Sequence, residues 1–107
     1  MQYRRLGQSG LKVSEICVGT MTFRRGADLA EATRITESCL DVGVNFFDTA
    51  DSYAESASET MLGEVLKQRR RQAVIASKFF NPLGPGRNDS CMSRAHSMQA
   101  IEDSPRR

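Results

Sequence analysis

The sequence predicts an α/β fold of parallel βα units preceded by a short N-terminal hairpin. Three short apolar runs, "EICVGT", "VNFF" and "QAVIASK", are each followed by turn residues and then by a stretch with helical signals. Strands that alternate with helices through short connections lie parallel, because parallel neighbours need a crossover between them. Ahead of the first run, "YRRLGQSGLKVSE" sets two extended pieces around Gly7 and Gly10, residues that tolerate positive φ, which is a hairpin signature.

Taken in order, the first strand carries Ile16, Cys17 and Val18 together and stops at Gly19. A continuous apolar run of this kind predicts a strand buried on both faces. Asp28 followed by Glu31 resembles a helix cap, and Leu29, Ala32, Ile35, Cys39 and Leu40 repeat at helical spacing up to Gly43, a natural helix stop. "VNFF" supplies the second strand. Ser56 with Glu59 then reads as an S-x-x-E capping box for a helix whose apolar face is Met61, Leu62, Val65 and Leu66. "QAVIASK" supplies the third strand, "NPLGPGRNDS" a loop, and Ser93 to about Asp103 a last helix.

Composition bounds the function without naming one. At 107 residues the chain is at most one small domain, and 39% hydrophobic with 26% charged residues is ordinary for a soluble globular chain. A formal charge of +2 is too small for an electrostatic footprint on nucleic acid or an anionic membrane. Lys67 with Arg69, Arg70 and Arg71 falls at a predicted helix end, where cations complement the helix dipole. No apolar stretch approaches the length of a signal h-region or a membrane span, which predicts a cytoplasmic location. Cys17, Cys39 and Cys91 are widely spaced with no C-x-x-C pair, so neither a disulfide framework nor a zinc site is indicated.

In parallel α/β folds, ligands bind at the carboxyl ends of the strands. The first strand here ends on Gly19, Thr20 and Met21, the second on Asp48 with Tyr53 five residues on, and the third on Lys78. Singly, Asp48 serves as a turn cap, Tyr53 as a packed ring and Lys78 as a solvated lysine. Together on one rim they form a proton donor. A phenol with a pKa of about 10 is a sluggish acid until an ammonium stabilises its phenolate, and a carboxylate keeps that ammonium charged and oriented. Such a phenol protonates a carbonyl oxygen as hydride reaches the carbon, and the hydride must come from a nicotinamide cofactor.

These residues carry a resemblance. Through "YRRLGQSGLKVSEICVGTMTF", "CLDVGVNFFDTADSYAESASETMLGEVL" and "VIASKFFNPLGPGRNDSCMSRAHSMQAIEDS", the chain resembles the N-terminal part of an aldo-keto reductase. The branch is the one that includes bacterial oxidoreductases and the potassium-channel β subunits, and the most specific block is D-T-A-x-x-Y followed by S-E-x-x-L-G. The resemblance implies part of a (β/α)8 TIM barrel that reduces aldehydes or ketones with NADP(H). It implies Tyr53 as proton donor, Lys78 as the residue that tunes it and Asp48 as the holder of Lys78. Thr20, Met21 and again Asp48 match cofactor-side positions.

The pattern also departs from the family. The fourth tetrad member, a histidine, follows the family's fourth strand, and the only histidine here, His96, falls inside the last predicted helix, where it is expected to face solvent. Pro105 stands where leucine is expected and should end that helix early, as in a reading frame interrupted near this point. Arg24 and Arg25 stand where relatives often have glycine. A complete barrel needs about 250 residues, so about three of eight βα units are expected, without the usual phosphate sites after strands seven and eight. No G-x-G-x-x-G replaces them. The expectation is a truncated reductase, inactive as the 107-residue chain, with a small carbonyl compound as the substrate of the whole enzyme. The alternative is a non-catalytic fragment that associates with a full-length reductase, or completes a split barrel, through its open sheet edges.

Overall fold

A computed structural model describes all 107 residues. Strands β1 (Tyr3–Arg5) and β2 (Lys12–Ser14) form the antiparallel hairpin, with Gly7 at φ +56° and Gly10 at φ +81° in its turn. Three parallel strands follow, β3 (Cys17–Gly19), β4 (Phe46–Asp48) and β5 (Val74–Ala76), in the order β3-β4-β5. Helix α1 (Leu29–Asp41) connects the first pair, α2 (Ala57–Leu66) the second, and α3 (Arg94–Asp103) comes after β5. The predicted hairpin and three βα units are present, and the sheet is open rather than closed into a barrel.

Local signals explain α1. The Asp28 side chain accepts a hydrogen bond from the Glu31 backbone N–H at 2.9 Å, which satisfies one orphan donor of the first turn. Beyond the helix Gly43 takes φ +88°, and an added Cβ would lie 2.8 Å from the Tyr3 hydroxyl, so this turn excludes larger residues. That same hydroxyl donates to the Gly43 carbonyl at 2.8 Å and ties the hairpin to the end of α1. Asn45 adds a second tie, accepting from the Ser14 N–H at 2.7 Å and donating to the Lys12 carbonyl at 3.1 Å.

The strand period of two divides the sheet into two faces. Val18, Phe47 and Ile75 lie side by side and pack toward the helices against Leu40, Met61, Leu62 and Leu66. Phe47 is fully buried there, and its removal to alanine would cost about 3–5 kcal/mol. The other face presents Cys17, Phe46 and Val74 in one row, and Gly19, Asp48 and Ala76 in the next. No helix covers it, and Cys17 and Gly19 are exposed. This corrects the expectation that the first strand is buried on both faces: β3 pairs only with β4 and has one covered side.

Two further expectations change. Ser56 precedes α2 but is left-handed, at φ +72°, and makes no side-chain cap. Its hydroxyl turns back to the Asp51 carbonyl at 2.9 Å, and Glu59 turns away into a buried cluster, so no capping box forms. His96 does not face solvent, since it is 8% exposed and packs edge-on against Phe79 with ring centres 5.6 Å apart. Pro105 does end the last helix: α3 stops at Asp103 and gives way to a 3-10 turn over Ser104–Arg106.

Candidate active site

The register of the parallel sheet brings the three strand ends together. Gly19, Asp48 and Ala76 are aligned, so Thr20, Thr49 and Ser77 leave the sheet side by side, one residue beyond. Alternation then sends Lys78 to the same face as Asp48. Lys78 Nζ donates to Asp48 Oδ2 at 2.8 Å and to the Thr49 carbonyl at 2.5 Å. The same ammonium lies 4.9 Å from the centre of the Tyr53 ring, within cation–π range. The structure therefore brings Asp48, Tyr53 and Lys78 into one cluster around a single cation.

The loops that carry the trio are fixed by backbone and buried side-chain bonds. Thr49 N–H donates to the Ala76 carbonyl, and Asp51 N–H to the Lys78 carbonyl, both at 2.9 Å, which locks the β4 exit to the β5 exit. Thr20 N–H donates to the Asp48 carbonyl at 2.9 Å, and the Thr20 hydroxyl reaches the same oxygen at 3.2 Å. Ser58, in the first turn of α2, donates its hydroxyl to the Thr20 carbonyl at 2.7 Å and its backbone N–H to the Tyr53 carbonyl at 3.2 Å. Ser58 and Thr20 are both fully buried, so this clamp is shielded from competing water. Residue type alone gave no signal for Ser58; only its place three residues into the S-x-S-E stretch, close to the cap, set it apart.

The predicted cofactor-side residues divide. Met21 is 60% exposed at the rim, free to touch a ligand. Thr20 is buried, its hydroxyl committed to Asp48 and Ser58, so its side chain holds the rim in place rather than facing outward. Arg24, in the loop after β3, takes φ +72°, a conformation that glycine adopts without strain. Between Tyr53 and α2, Ala54, Glu55 and Ser56 are left-handed in succession.

Electrostatics keep Lys78 a cation. Burial works against its charge, but hydrogen bonding and charge from Asp48, and then from Tyr53, outweigh burial and raise its pKa above the ordinary lysine value. The pair is nevertheless on an open rim, with the Lys78 and Asp48 side chains 48% and 42% exposed. The cavities of 470 and 420 Å³ are lined by other residues. Cys17, one step down the same sheet face, is exposed as a residue, but partial desolvation of its thiol and then the charge of Asp48 push its pKa up against the pull of Lys78, which leaves it protonated at neutral pH. No helix is long and apolar enough to cross a membrane.

Comparison with known proteins finds relatives along the whole chain. Over its whole length the chain is 42% identical to a probable voltage-gated potassium channel subunit beta of Arabidopsis thaliana, of which it covers 34%. Over 78% of its length it is 39% identical to the uncharacterized oxidoreductase YrpG of Bacillus subtilis, covering 28% of that protein. The chain thus spans about a third of the length of the curated relatives it matches. Among solved structures, the holo form of aldo-keto reductase AKR11C1 from Bacillus halodurans superposes with a TM-score of 0.86 at 37% identity, over 99% of this chain and 36% of that one. The model of the aldo/keto reductase family matches residues 15–107, the stretch that contains the parallel sheet, its helices and the Asp48–Tyr53–Lys78 cluster, and the chain belongs to that family.

Proposed function

We propose that the chain forms the proton-donating part of an NADP(H)-dependent reductase acting on an aldehyde or ketone carbonyl. The observation that carries this reading is the position of Lys78 Nζ, 2.8 Å from Asp48 and 4.9 Å from the Tyr53 ring centre. Tyr53 gives its phenolic proton to the substrate's carbonyl oxygen. The charge of Lys78 stabilises the phenolate that remains, and Asp48 keeps Lys78 charged and pointed at the ring. The Thr49 carbonyl accepts a second hydrogen bond from the ammonium and limits its motion.

The rim fits the reactive end of a nicotinamide cofactor. Exposed Met21 and the half-exposed Asp48 stand on neighbouring strand ends, and Thr20 fixes their spacing from below. Those residues would hold the nicotinamide ribose region, and the bound cofactor would supply the hydride. No glycine-rich fingerprint for a pyrophosphate accompanies them. As the 107-residue chain, the protein is expected to show no turnover, because the trio lies on an open rim and a solvated acid–base pair loses much of its electrostatic leverage.

The test is a chimera. Residues 1–107 replace the matching third of the Bacillus halodurans reductase, and aldehyde-dependent NADPH oxidation is followed. Turnover is expected, with Tyr53→Phe lowering kcat by about 10²–10⁴. An active chimera indifferent to Tyr53→Phe would remove Tyr53 as the proton donor.

A second reading is favoured by the uncovered sheet face and the single-sided pairing of β3 and β5. On this reading the chain is a non-catalytic fragment that associates with a full-length reductase or completes a split barrel. Sedimentation of the chain at increasing concentration separates the two, since a folded, concentration-independent monomer speaks against association through those edges.

A further inference from the structure

The burial of helix α3 is inverted. Its buried residues are His96 and Ala100, a polar ring and a single methyl, which share one side of the helix. On the opposite side Met98 and Ile101 lie one turn apart and are 44% and 59% exposed. A surface helix ordinarily turns its apolar stripe to the core and its charges to water. This stripe is left bare, because α3 follows β5, the edge strand of the sheet, and ends the helical layer.

The charges that flank the stripe are misplaced for a helix on its own. Arg94 opens α3 and Glu102 lies in its last turn, so the cation stands at the positive end of the helix dipole and the carboxylate at the negative end. Both are exposed, and neither takes part in any of the chain's ion pairs. Their spacing is symmetrical about Met98. Arg94 lies four residues before it and Glu102 four after, while Ala95 lies three before and Ile101 three after. A second α3 laid antiparallel on the first, with a twofold axis at Met98, therefore sets Arg94 against Glu102 of the second copy, and Glu102 against its Arg94. The same axis sets the small Ala95 against Ile101 of the second copy and Met98 against itself, the self-complementarity that a twofold interface requires. Each misplaced charge then meets its opposite, and the two helix dipoles run in opposite directions. A parallel pairing would instead bring Arg94 to Arg94.

We propose that the outer face of α3 is a docking surface for a second copy of this chain, which binds antiparallel through Met98, Ile101 and two reciprocal Arg94–Glu102 pairs. The ten residues of α3 span about 15 Å, and one such face buries less than the roughly 800 Å² per partner of a standard interface, so the dimer is weak and reversible. The surface uses no residue of the Asp48–Tyr53–Lys78 rim or of the sheet edges, so its failure would leave both readings of function untouched. The test is sedimentation equilibrium of the 107-residue chain up to about 1 mM, the range in which an interface below standard size is populated. A monomer–dimer equilibrium is expected. Arg94→Glu or Glu102→Arg alone turns both reciprocal pairs into like charges and should weaken it about tenfold, whereas the two together should restore it to within about threefold of the parent. Met98→Asp sets two carboxylates on the axis and should leave monomer alone. These positions are exposed, so the folded chain is retained in each variant. Monomer at every concentration, a dimer indifferent to the single changes, or a double variant as weak as either single overturns the proposal.

Discussion

Lys78 and Asp48, at the ends of neighbouring parallel strands, are joined by a 2.8 Å hydrogen bond that places the ammonium under the face of Tyr53. Both side chains are about half exposed, so as a surface ion pair the contact adds little to stability. Its consequence is orientation and charge state.

Asp48→Ala should therefore lower the Lys78 titration midpoint, because burial, which opposes the charge, would then face only Tyr53. The sign for stability follows from the raised value. The stabilisation is complete below the unfolded lysine pKa of about 10.4 and disappears as pH rises through the folded value. Titration of the Lys78 side-chain carbon by NMR measures the midpoint directly, and no change in Asp48→Ala would show that the bond does not govern the charge.

Ser58→Ala should cost about 0.5–1.5 kcal/mol, because the buried Thr20 carbonyl loses its 2.7 Å hydroxyl donor and keeps only the Phe23 backbone N–H at 3.0 Å. The loss should concentrate at the rim, since Ser58 also holds the Tyr53 carbonyl through its backbone. Urea unfolding gives the size, and faster amide exchange at Thr20 and Ser58 gives the place. A midpoint equal to that of the parent chain would mean that the clamp is not formed.

The sequence-level signals that survived are those settled by neighbours along the chain. Asp28 and Glu31 meet within one helical turn, Gly43 stops α1 by its own backbone, and Asp48 and Lys78 are legible because strand ends in a parallel sheet must lie on one rim. The misreadings were settled at a distance. Ser56 and Glu59 have the spacing of a capping box, but Glu59 is drawn to Arg107, 48 residues on, and Ser56 is held left-handed. His96 is buried by Phe79 from another segment, which helical spacing within α3 does not encode. An apolar run such as Ile16–Val18 announces a strand without telling how many of its faces are covered.

Asp51→Asn should stabilise the chain at neutral pH and leave it unchanged in acid. Burial, followed by the charge of Glu59, raises the Asp51 pKa over its unfolded value, with the charge of Arg107, the backbone N–H of Ser52 and His96 acting the other way. A raised carboxyl favours the folded state fully below the unfolded pKa of about 3.9 and loses that contribution as pH rises through the folded value. Asparagine carries no charge to bury, so the difference between variant and parent should open as pH climbs from 4 to about 7. Thermal unfolding across that range is the measurement, and a pH-independent difference would assign the effect to packing instead.

Glu59 and Arg107 should prove strongly coupled. The Glu59 side chain is 6% exposed and accepts from Arg107 Nε at 2.8 Å, from Ser104 at 3.4 Å and from Ser77 by a short contact, so it anchors the last 3-10 turn to α2 and β5. Removing either charge alone leaves the other without its partner in a site that water enters poorly, and breaking a buried pair in this way costs about 3–5 kcal/mol. Arg107 is 21% exposed and can recover part of that loss by turning to solvent, so Glu59→Ala should be the milder of the two single changes. The double variant Glu59→Ala with Arg107→Ala should then cost less than the sum, by about 1–3 kcal/mol, as for groups that share one network. Additive single effects in urea unfolding would show that the two side chains do not stabilise the turn as a pair.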